Sequence, residues 1–197
     1  MEHYYTQETN TISNEKKVKI KIGGNSLEFI TDNGVFSKKG LDFGTRSLLE
    51  NLPELTGDVL DFGCGYGPIG IYIKNKYPVQ VTMLDINKRA VNLAKKNCEL
   101  NHVECNVVLS DMYENIAQKY DYIITNPPIR IGKQKLYQIL FEAKNYLKPN
   151  GELWLVINKN QGAKSLAKDL EKKYKVKIID KSKGFYIILA QNCWHID

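Results

Sequence analysis

Polar and apolar residues alternate with a period of two over Lys16–Ile22 (KKVKIKI), Gly23-Gly24-Asn25 supplies turn chemistry, and Leu27–Ile30 continues as a second strand. A β-hairpin near the N-terminus is predicted. Gly34–Thr45 (GVFSKKGLDFGT) is polar and punctuated by glycine, hence a loop, and Thr45 is placed to cap a helix carrying Leu48, Leu49 and Leu52 before Pro53 and Gly57 close it. From Asp58 onward apolar runs of strand length alternate with segments of helical character. Val59–Phe62, Val79–Leu84, Val107–Leu109, Tyr122–Thr125 and Leu153–Ile157 are the strands; Ile69–Lys76, Lys88–Leu100, Met112–Gln118, Leu136–Leu147 and Gln161–Tyr174 are the helices, the second with Ala90, Val91, Ala94 and Cys98 on one side. This order calls for an α/β, Rossmann-like fold: a mostly parallel, doubly wound sheet with right-handed crossovers and helices on both faces. Val176–Asp180 and Phe185–Ala190 are joined only by Lys181-Ser182-Lys183-Gly184, a link too short for a crossover, so the sheet ends in an antiparallel hairpin.

Composition narrows the class. With 197 residues, 43% hydrophobic and 25% charged, the expected organisation is one domain over residues 1–197, with a hairpin and loop over about 1–44 and the α/β core over about 45–197. Met1–Thr6 lacks the basic-then-apolar pattern of a secretion signal, and no apolar run reaches the roughly 18 residues of a membrane span, so a cytoplasmic protein without a membrane partner is expected. Cys64, Cys98, Cys105 and Cys193 form no C-x-x-C and have no histidine at ligand spacing, which indicates reduced thiols and no metal site. His3, His102 and His195, in the termini and a helix-end loop, read as surface residues rather than as an acid or base. The pattern suits a monomer or a homodimer.

The strand Val59–Phe62 runs into Gly63-Cys64-Gly65-Tyr66-Gly67-Pro68-Ile69-Gly70, which satisfies G-x-G-x-x-G at Gly65, Gly67 and Gly70, and Asp85 ends the next strand 20 residues after Gly65. By pattern alone a nicotinamide cofactor fits. Asp61 at the strand tip would oppose a pyrophosphate, however, and Pro68 removes an N–H at the helix start. A cofactor with an ammonium group and no phosphate reverses that objection, and S-adenosylmethionine has both properties. Its amino-acid end can pair with Asp61 directly or through water, the backbone at Gly63, Cys64 and Gly65 can approach closely, and Asp85 can take both ribose hydroxyls. Downstream, Asp111 can accept the adenine amine with Met112 and Ile86 enclosing the ring, or can cap the helix toward Gln118.

Thr125-Asn126-Pro127-Pro128-Ile129 follows the apolar Tyr122-Ile123-Ile124, at a strand end where open α/β sheets do their chemistry. Two prolines hold the chain in one shape and block an immediate helix, so the Asn126 amide is presented from a stiff support. An amide oxygen suits a substrate amine. A Pro-Pro turn with Asn as turn former is the plain alternative.

Charge adds a partner class. Residues 133–197 hold 13 Lys against six acids, whereas residues 1–132 hold 15 Lys and Arg against 16 acids, so the net charge of +6 lies in the last third. Such a region can attract phosphates or can be a solvated helix face.

The set DFGCGYG, LDIN at Asp85, SDM at Asp111 and NPPI at Asn126, in this order and spacing, resembles the class I S-adenosylmethionine-dependent methyltransferases that act on amino nitrogens. With GVFSKKGLDFGT upstream and NPPIR, it is most similar to the "methyltransferase small" group of ribosomal RNA guanine-N2 methyltransferases that modify 16S rRNA. The resemblance covers nearly the whole chain and implies a seven-stranded sheet, S-adenosylmethionine as cofactor, and ribosomal RNA or the small ribosomal subunit as partner. It implies that Asp42, Gly44 and Thr45 lie beside the methionine end of the cofactor, that Asn126 borders the cofactor, and that the Asn126 side-chain oxygen and Pro127 carbonyl accept the two amine hydrogens. Pro128 and Ile129 would edge the target base. Many relatives have an aromatic residue at the position of Ile129; Phe36 would supply one if its loop folds over the pocket, or is simply a core residue. Arg130 and Lys133 suit an RNA phosphate or a solvated helix start. Larger members of the group carry a second, related domain before the catalytic one, for which these 197 residues leave no room.

Overall fold

The structure, a computed structural model, describes residues 10–35, 39–128 and 130–193. Phe36 and Ile129, both proposed from sequence as site residues, lie outside the described residues, as do His3 and His195.

The hairpin consists of β1 (Lys16–Ile22) and β2 (Asn25–Thr31), antiparallel through a turn in which Gly23 and Gly24 both have positive φ. Its apolar face, with Ile20, Ile22, Leu27 and Phe29, is buried. After α1 (Phe43–Glu50) come β3 (Gly57–Phe62), α2 (Pro68–Lys76), β4 (Val79–Asp85), α3 (Lys88–Leu100), β5 (Asn106–Leu109), β6 (Tyr120–Thr125), α4 (Lys133–Glu142), β7 (Leu147–Asn158), α5 (Ala163–Leu170), β8 (Lys175–Ser182) and β9 (Phe185–Gln191). Seven strands form one sheet in the order β5-β4-β3-β6-β7-β9-β8, parallel from β5 to β7, with β9 antiparallel to both its neighbours. The mixed sheet and terminal hairpin are those expected from sequence.

Strand alternation divides the core. Val59 of β3 packs with α1, α2, α3 and the hairpin, while the next residue, Leu60, packs on the other face with α4 and α5. The hairpin is fastened by two asparagines of α3. Asn97 Nδ2 donates to the Ile30 and Tyr66 carbonyls and its oxygen accepts from Ile30 N at 2.7 Å, while Asn101 exchanges a similar pair with Glu28. These side chains give the open edge of β2 the hydrogen bonds a neighbouring strand would supply.

Three predicted helices differ. Residues 112–118 form turns: Met112 has φ 49°, and the Ser110 hydroxyl donates to Met112 O and accepts from Asn115 N, fastening the turn in place of a helix. The expected Gln161–Tyr174 helix is α5 alone, because Gly162 at φ 81° breaks it from the 3-10 turn Lys159–Gln161. A 3-10 turn over Ala143–Tyr146 follows α4, and β7 already begins at Leu147, so the predicted helix ends early.

Candidate active site

Local chemistry shapes the loop after β3. The Gly63 and Cys64 N–H groups both donate to Leu84 O at 2.9 Å, pinning the loop to the end of β4. Gly67 caps α2 at φ 103°, and Pro68 takes the first helical position, where its missing N–H costs nothing. A Cβ on Gly70 would sit 2.4 Å from Met83 Sδ and 3.1 Å from Asp61 Oδ2, so this glycine is required for close packing of α2 on β4. On Gly63 and Gly65 a Cβ would meet nothing within 4 Å. Their open sides face a cavity of about 390 Å³ at the carboxyl ends of the parallel strands.

Two acids define the floor and wall of this cavity differently. Asp85 lines it; its Oδ2 accepts from Gly65 N at 2.8 Å and its Oδ1 from Asn87 N at 2.9 Å. Burial pushes the pKa of its carboxyl upward despite these bonds. Asp61 lies one layer below, fully buried, and is not part of the wall. Its Oδ2 accepts from Gly70 N at 2.9 Å, and Oδ1 has no hydrogen-bond partner. Burial pushes this carboxyl up to about 8, opposed by the Gly70 bond and reinforced by the charge of Asp85. Cys64 also lines the cavity, and burial pushes its thiol well up, so it is an inert neutral wall residue.

Asn126, Pro127 and Pro128 line the same cavity from the end of β6. Thr125 holds this stretch in place by donating its hydroxyl to Phe62 O at 2.8 Å, which ties the end of β6 to the end of β3. Asn126 Nδ2 donates to Thr45 Oγ1 at 2.8 Å, and the Thr45 hydroxyl donates to Asp42 Oδ2 at 2.6 Å. Asp42 also accepts from Thr45 N at 3.0 Å and is the N-cap of α1, the position the sequence pointed to Thr45 for. An acidic side chain preceding the helix is a better acceptor for the free N–H groups, and Thr45 is left inside the first turn. Because a carboxylate only accepts, the threonine proton is committed to Asp42, so Thr45 Oγ1 can only accept from Asn126. The amide nitrogen must face Thr45, and its oxygen is the end available to a substrate amine.

The remaining sequence candidates separate. Ile86, Asp111, Met112 and Arg130 line the cavity. Asp111 caps no helix; it pairs with Lys135 Nζ at 3.3 Å. Gly44 faces away from the cavity, its Cβ position 3.0 Å from the Phe185 ring. Lys133 begins α4 with its Nζ 5.2 Å from the Tyr137 ring centre and is not in the wall. Lys135, Leu41 and Asn87 are wall residues not singled out from sequence. Asn87 was legible as the N-cap of α3, accepting from Ala90 N at 3.1 Å, whereas Lys135 meets an acid 24 positions away and leaves no local signal. Among the described residues there is no cluster of metal-ligating side chains, and no helix is long and apolar enough to cross a membrane.

Comparison with known proteins bears on the family and the fold. The model of the methyltransferase small domain matches residues 26–189. The chain called uncharacterized protein YbxB of Bacillus subtilis (strain 168) is 41% identical, over 96% of this chain and 98% of its own length. Ribosomal RNA small subunit methyltransferase C of Vibrio vulnificus (strain CMCP6) is 40% identical over 71% of this chain, and the match spans only 42% of that relative. The solved structure of the T. thermophilus 16S rRNA N2 G1207 methyltransferase (RsmC) in complex with AdoMet and guanosine superposes with a TM-score of 0.82 at 25% identity, covering 90% of this chain and 50% of that one. This chain belongs to the methyltransferase small family of class I S-adenosylmethionine-dependent methyltransferases.

Proposed function

We propose that this protein methylates the exocyclic N2 amine of a guanine in small-subunit ribosomal RNA, with S-adenosylmethionine as methyl donor. The observation that carries the reading is the orientation of Asn126: a proline-stiffened amide whose nitrogen is held by Thr45 presents its oxygen as an acceptor in the cavity shared with Asp85 and the glycine loop. The names of the curated relatives, which this chain matches over about two fifths of their length, and the guanosine in the T. thermophilus structure support the choice of acceptor.

The cavity fits the donor. Gly63 and Gly65 leave open space where any side chain would intrude, the volume is in the range of small-molecule sites, and Asp61 Oδ1 is a buried acceptor lacking a partner below the loop. Asp85 offers carboxylate lone pairs beyond its two backbone bonds to ribose hydroxyls, and Asp61, buried beneath the wall, would meet a cationic ammonium through water. Asp111 and Met112, after the neighbouring strand β5, border the part of the cavity where an adenine would lie. When bound, S-adenosylmethionine supplies an electrophilic methyl group on a sulfonium.

The protein's part is positioning. The Asn126 oxygen and the Pro127 carbonyl accept the amine hydrogens, which pulls the nitrogen lone pair out of conjugation with the base and aims it along one line. No strong base is needed beforehand, since the amine becomes acidic on methylation and its proton leaves to water. Such a substrate places the protein with ribosomes in the cytoplasm.

The test is transfer of tritiated methyl groups to 30S subunits, 50S subunits and free rRNA from cells lacking the protein, with the labelled nucleoside identified by mass spectrometry. The expected product is N2-methylguanosine in the small-subunit RNA, lost in Asn126→Ala while cofactor binding persists. Label in another nucleoside, in protein, or at the normal rate in Asn126→Ala sinks the proposal.

A further inference from the structure

Charge along the carboxyl edge of the sheet is segregated. Asp85 at the end of β4 and Asp111 after β5 line one side of the cavity, whereas Lys159, Lys181 and Lys183 stand exposed at the β7–β9–β8 side, with Asn126 at the end of β6 between them. These three lysines come from separate positions: Lys159 directly follows β7, Lys181 lies in β8, and Lys183 occupies the turn before β9. The turn sets Lys183 and Gly184 beside Lys159, while Lys181, cross-strand from Tyr186, projects from the sheet face opposite to Phe185. Lys183 and Gly184 have φ of 48° and 80°, the two-residue geometry that closes a twisted hairpin, and Lys159 N donates to Gly184 O at 2.8 Å.

The hairpin tip is seated on the active-site wall by aromatic contacts. Phe185 lies 5.8 Å from Phe43, ring centre to ring centre, and against Gly44, the residue between Phe43 and the cavity-lining Thr45. Lys183 Nζ is 4.7 Å from the Phe43 ring centre, and Lys181 Nζ is 5.0 Å from that of Tyr186. Among the described residues none of the three has an acidic partner, while Lys135 at the acidic side pairs with Asp111. Lys159 and Lys183, beside the half-buried rings of Phe43 and Phe185 that adjoin Gly44 and Thr45, form a surface suited to a nucleic-acid strand: phosphates against the ammonium groups and bases against the rings.

We infer that the hairpin tip carrying Lys159 and Lys183, with Phe43 and Phe185, is the docking surface for the single-stranded RNA flanking the target nucleotide. It rests on the proposed function for the existence of an RNA substrate and adds where that strand lies. Lysines at the far end of the sheet serve as an internal control. Lys175 pairs across β8 with Gln191, at the opposite end from the Ser182 pairing with Phe185, and Lys168 is exposed in the last turn of α5.

The experiment compares the Lys159→Gln/Lys183→Gln protein with Lys168→Gln/Lys175→Gln, which has the same net charge. Binding of a fluorescein-labelled single-stranded RNA of about 20 nucleotides is followed by anisotropy across a salt series with S-adenosylhomocysteine present, and cofactor affinity is measured by calorimetry. Each lysine that neutralises a phosphate contributes about 0.7 to the slope of log K against log salt, so the hairpin variant is expected to lose about 1.4 from the slope and on the order of tenfold in affinity near 0.1 M salt. Its cofactor affinity stays at the unmodified value, and the control variant keeps the slope. An unchanged slope in the hairpin variant, an equal fall in both variants, or no RNA binding by the unmodified protein overturns the inference. Hairpin-dependent RNA binding by a protein that makes no N2-methylguanosine supports this surface and overturns the proposed acceptor instead.

Discussion

Asn126 and Thr45, 81 positions apart in sequence, meet at 2.8 Å between amide nitrogen and hydroxyl oxygen, and Asp42 at 2.6 Å on the far side of the hydroxyl fixes the direction of both bonds. The N-cap of α1 is therefore also the anchor of the amide at the end of β6. One carboxylate starts a helix and sets which atom of Asn126 faces a substrate.

Thr45→Val keeps the shape of this buried residue but removes the acceptor for Asn126 Nδ2, freeing the amide to turn its NH₂ toward the substrate. We expect kcat to fall about tenfold or more, equivalent to at least ~1.4 kcal/mol of barrier, with cofactor affinity unchanged in calorimetry. Thr45→Ser, which retains the hydroxyl, should restore most of the rate. Equal rates for the Val and Ser variants would show that the threonine matters only for packing.

Asp61 gives a signed pH dependence. Its folded-state value of about 8 stands above the ordinary carboxyl value of 3.8, so the native state holds this proton more tightly than the unfolded chain does. Its contribution to stability is complete below about pH 4 and is lost as the pH rises through about 8. Asp61→Asn, which keeps an acceptor for Gly70 N–H, should match the parent near pH 4 and exceed it at pH 8.5 by about 2–8 °C in Tm, what 1 to 2 kcal/mol is worth at this chain length. Scanning calorimetry without cofactor at the two pH values checks it; a gap that does not widen with pH would rule out burial of the charge as its origin.

Gly65 and Gly70, five residues apart, should fail for opposite reasons. In Gly70→Ala the new methyl collides with the fully buried Met83, and overpacking of this kind costs about 1–3 kcal/mol. In Gly65→Ala the methyl enters open cavity space at φ 56°, with a backbone cost of about 1–2 kcal/mol and a direct obstruction of the ligand. Urea titration paired with cofactor calorimetry should show lost cofactor affinity in the stable fraction of Gly65→Ala and retained affinity in folded Gly70→Ala.

Asn97→Ala removes three hydrogen bonds that hold β2 and the Tyr66 carbonyl to α3. Leaving such buried backbone groups unsatisfied costs about 1–3 kcal/mol each before relaxation. Hydrogen exchange should accelerate at Ile30 and along β2 while β3 and β4 keep their protection. Uniform acceleration across the sheet would mean that the hairpin is not a separable layer.

The repeating features of the fold were readable in the chain because they arise from local geometry. The packing of Val59 and Leu60 on opposite faces, the left-handed glycines at 23 and 24, and the short link before Phe185 each depend on a few neighbouring residues. Residues 112–118 misled, since the Ser110 hydroxyl captures the turn through bonds that helical periodicity does not register.

At the site, the glycine loop, Asp85 and the proline-stiffened Asn126 were legible as residue types at a spacing. That Asp61 lies beneath the wall, that Asp42 rather than Thr45 caps α1, that Gly44 seats Phe185, and that Lys135 meets Asp111 follow from the packing of elements far apart in sequence. The order of residues dictates backbone dihedrals, periodicity and the chemistry on offer, all of them short-range. Depth, amide orientation and the convergence of Lys159 with Lys183 arise only when strand order brings β3 beside β6 and folds β9 back along β7, because burial and hydrogen bonding depend on distances that the chain acquires on folding.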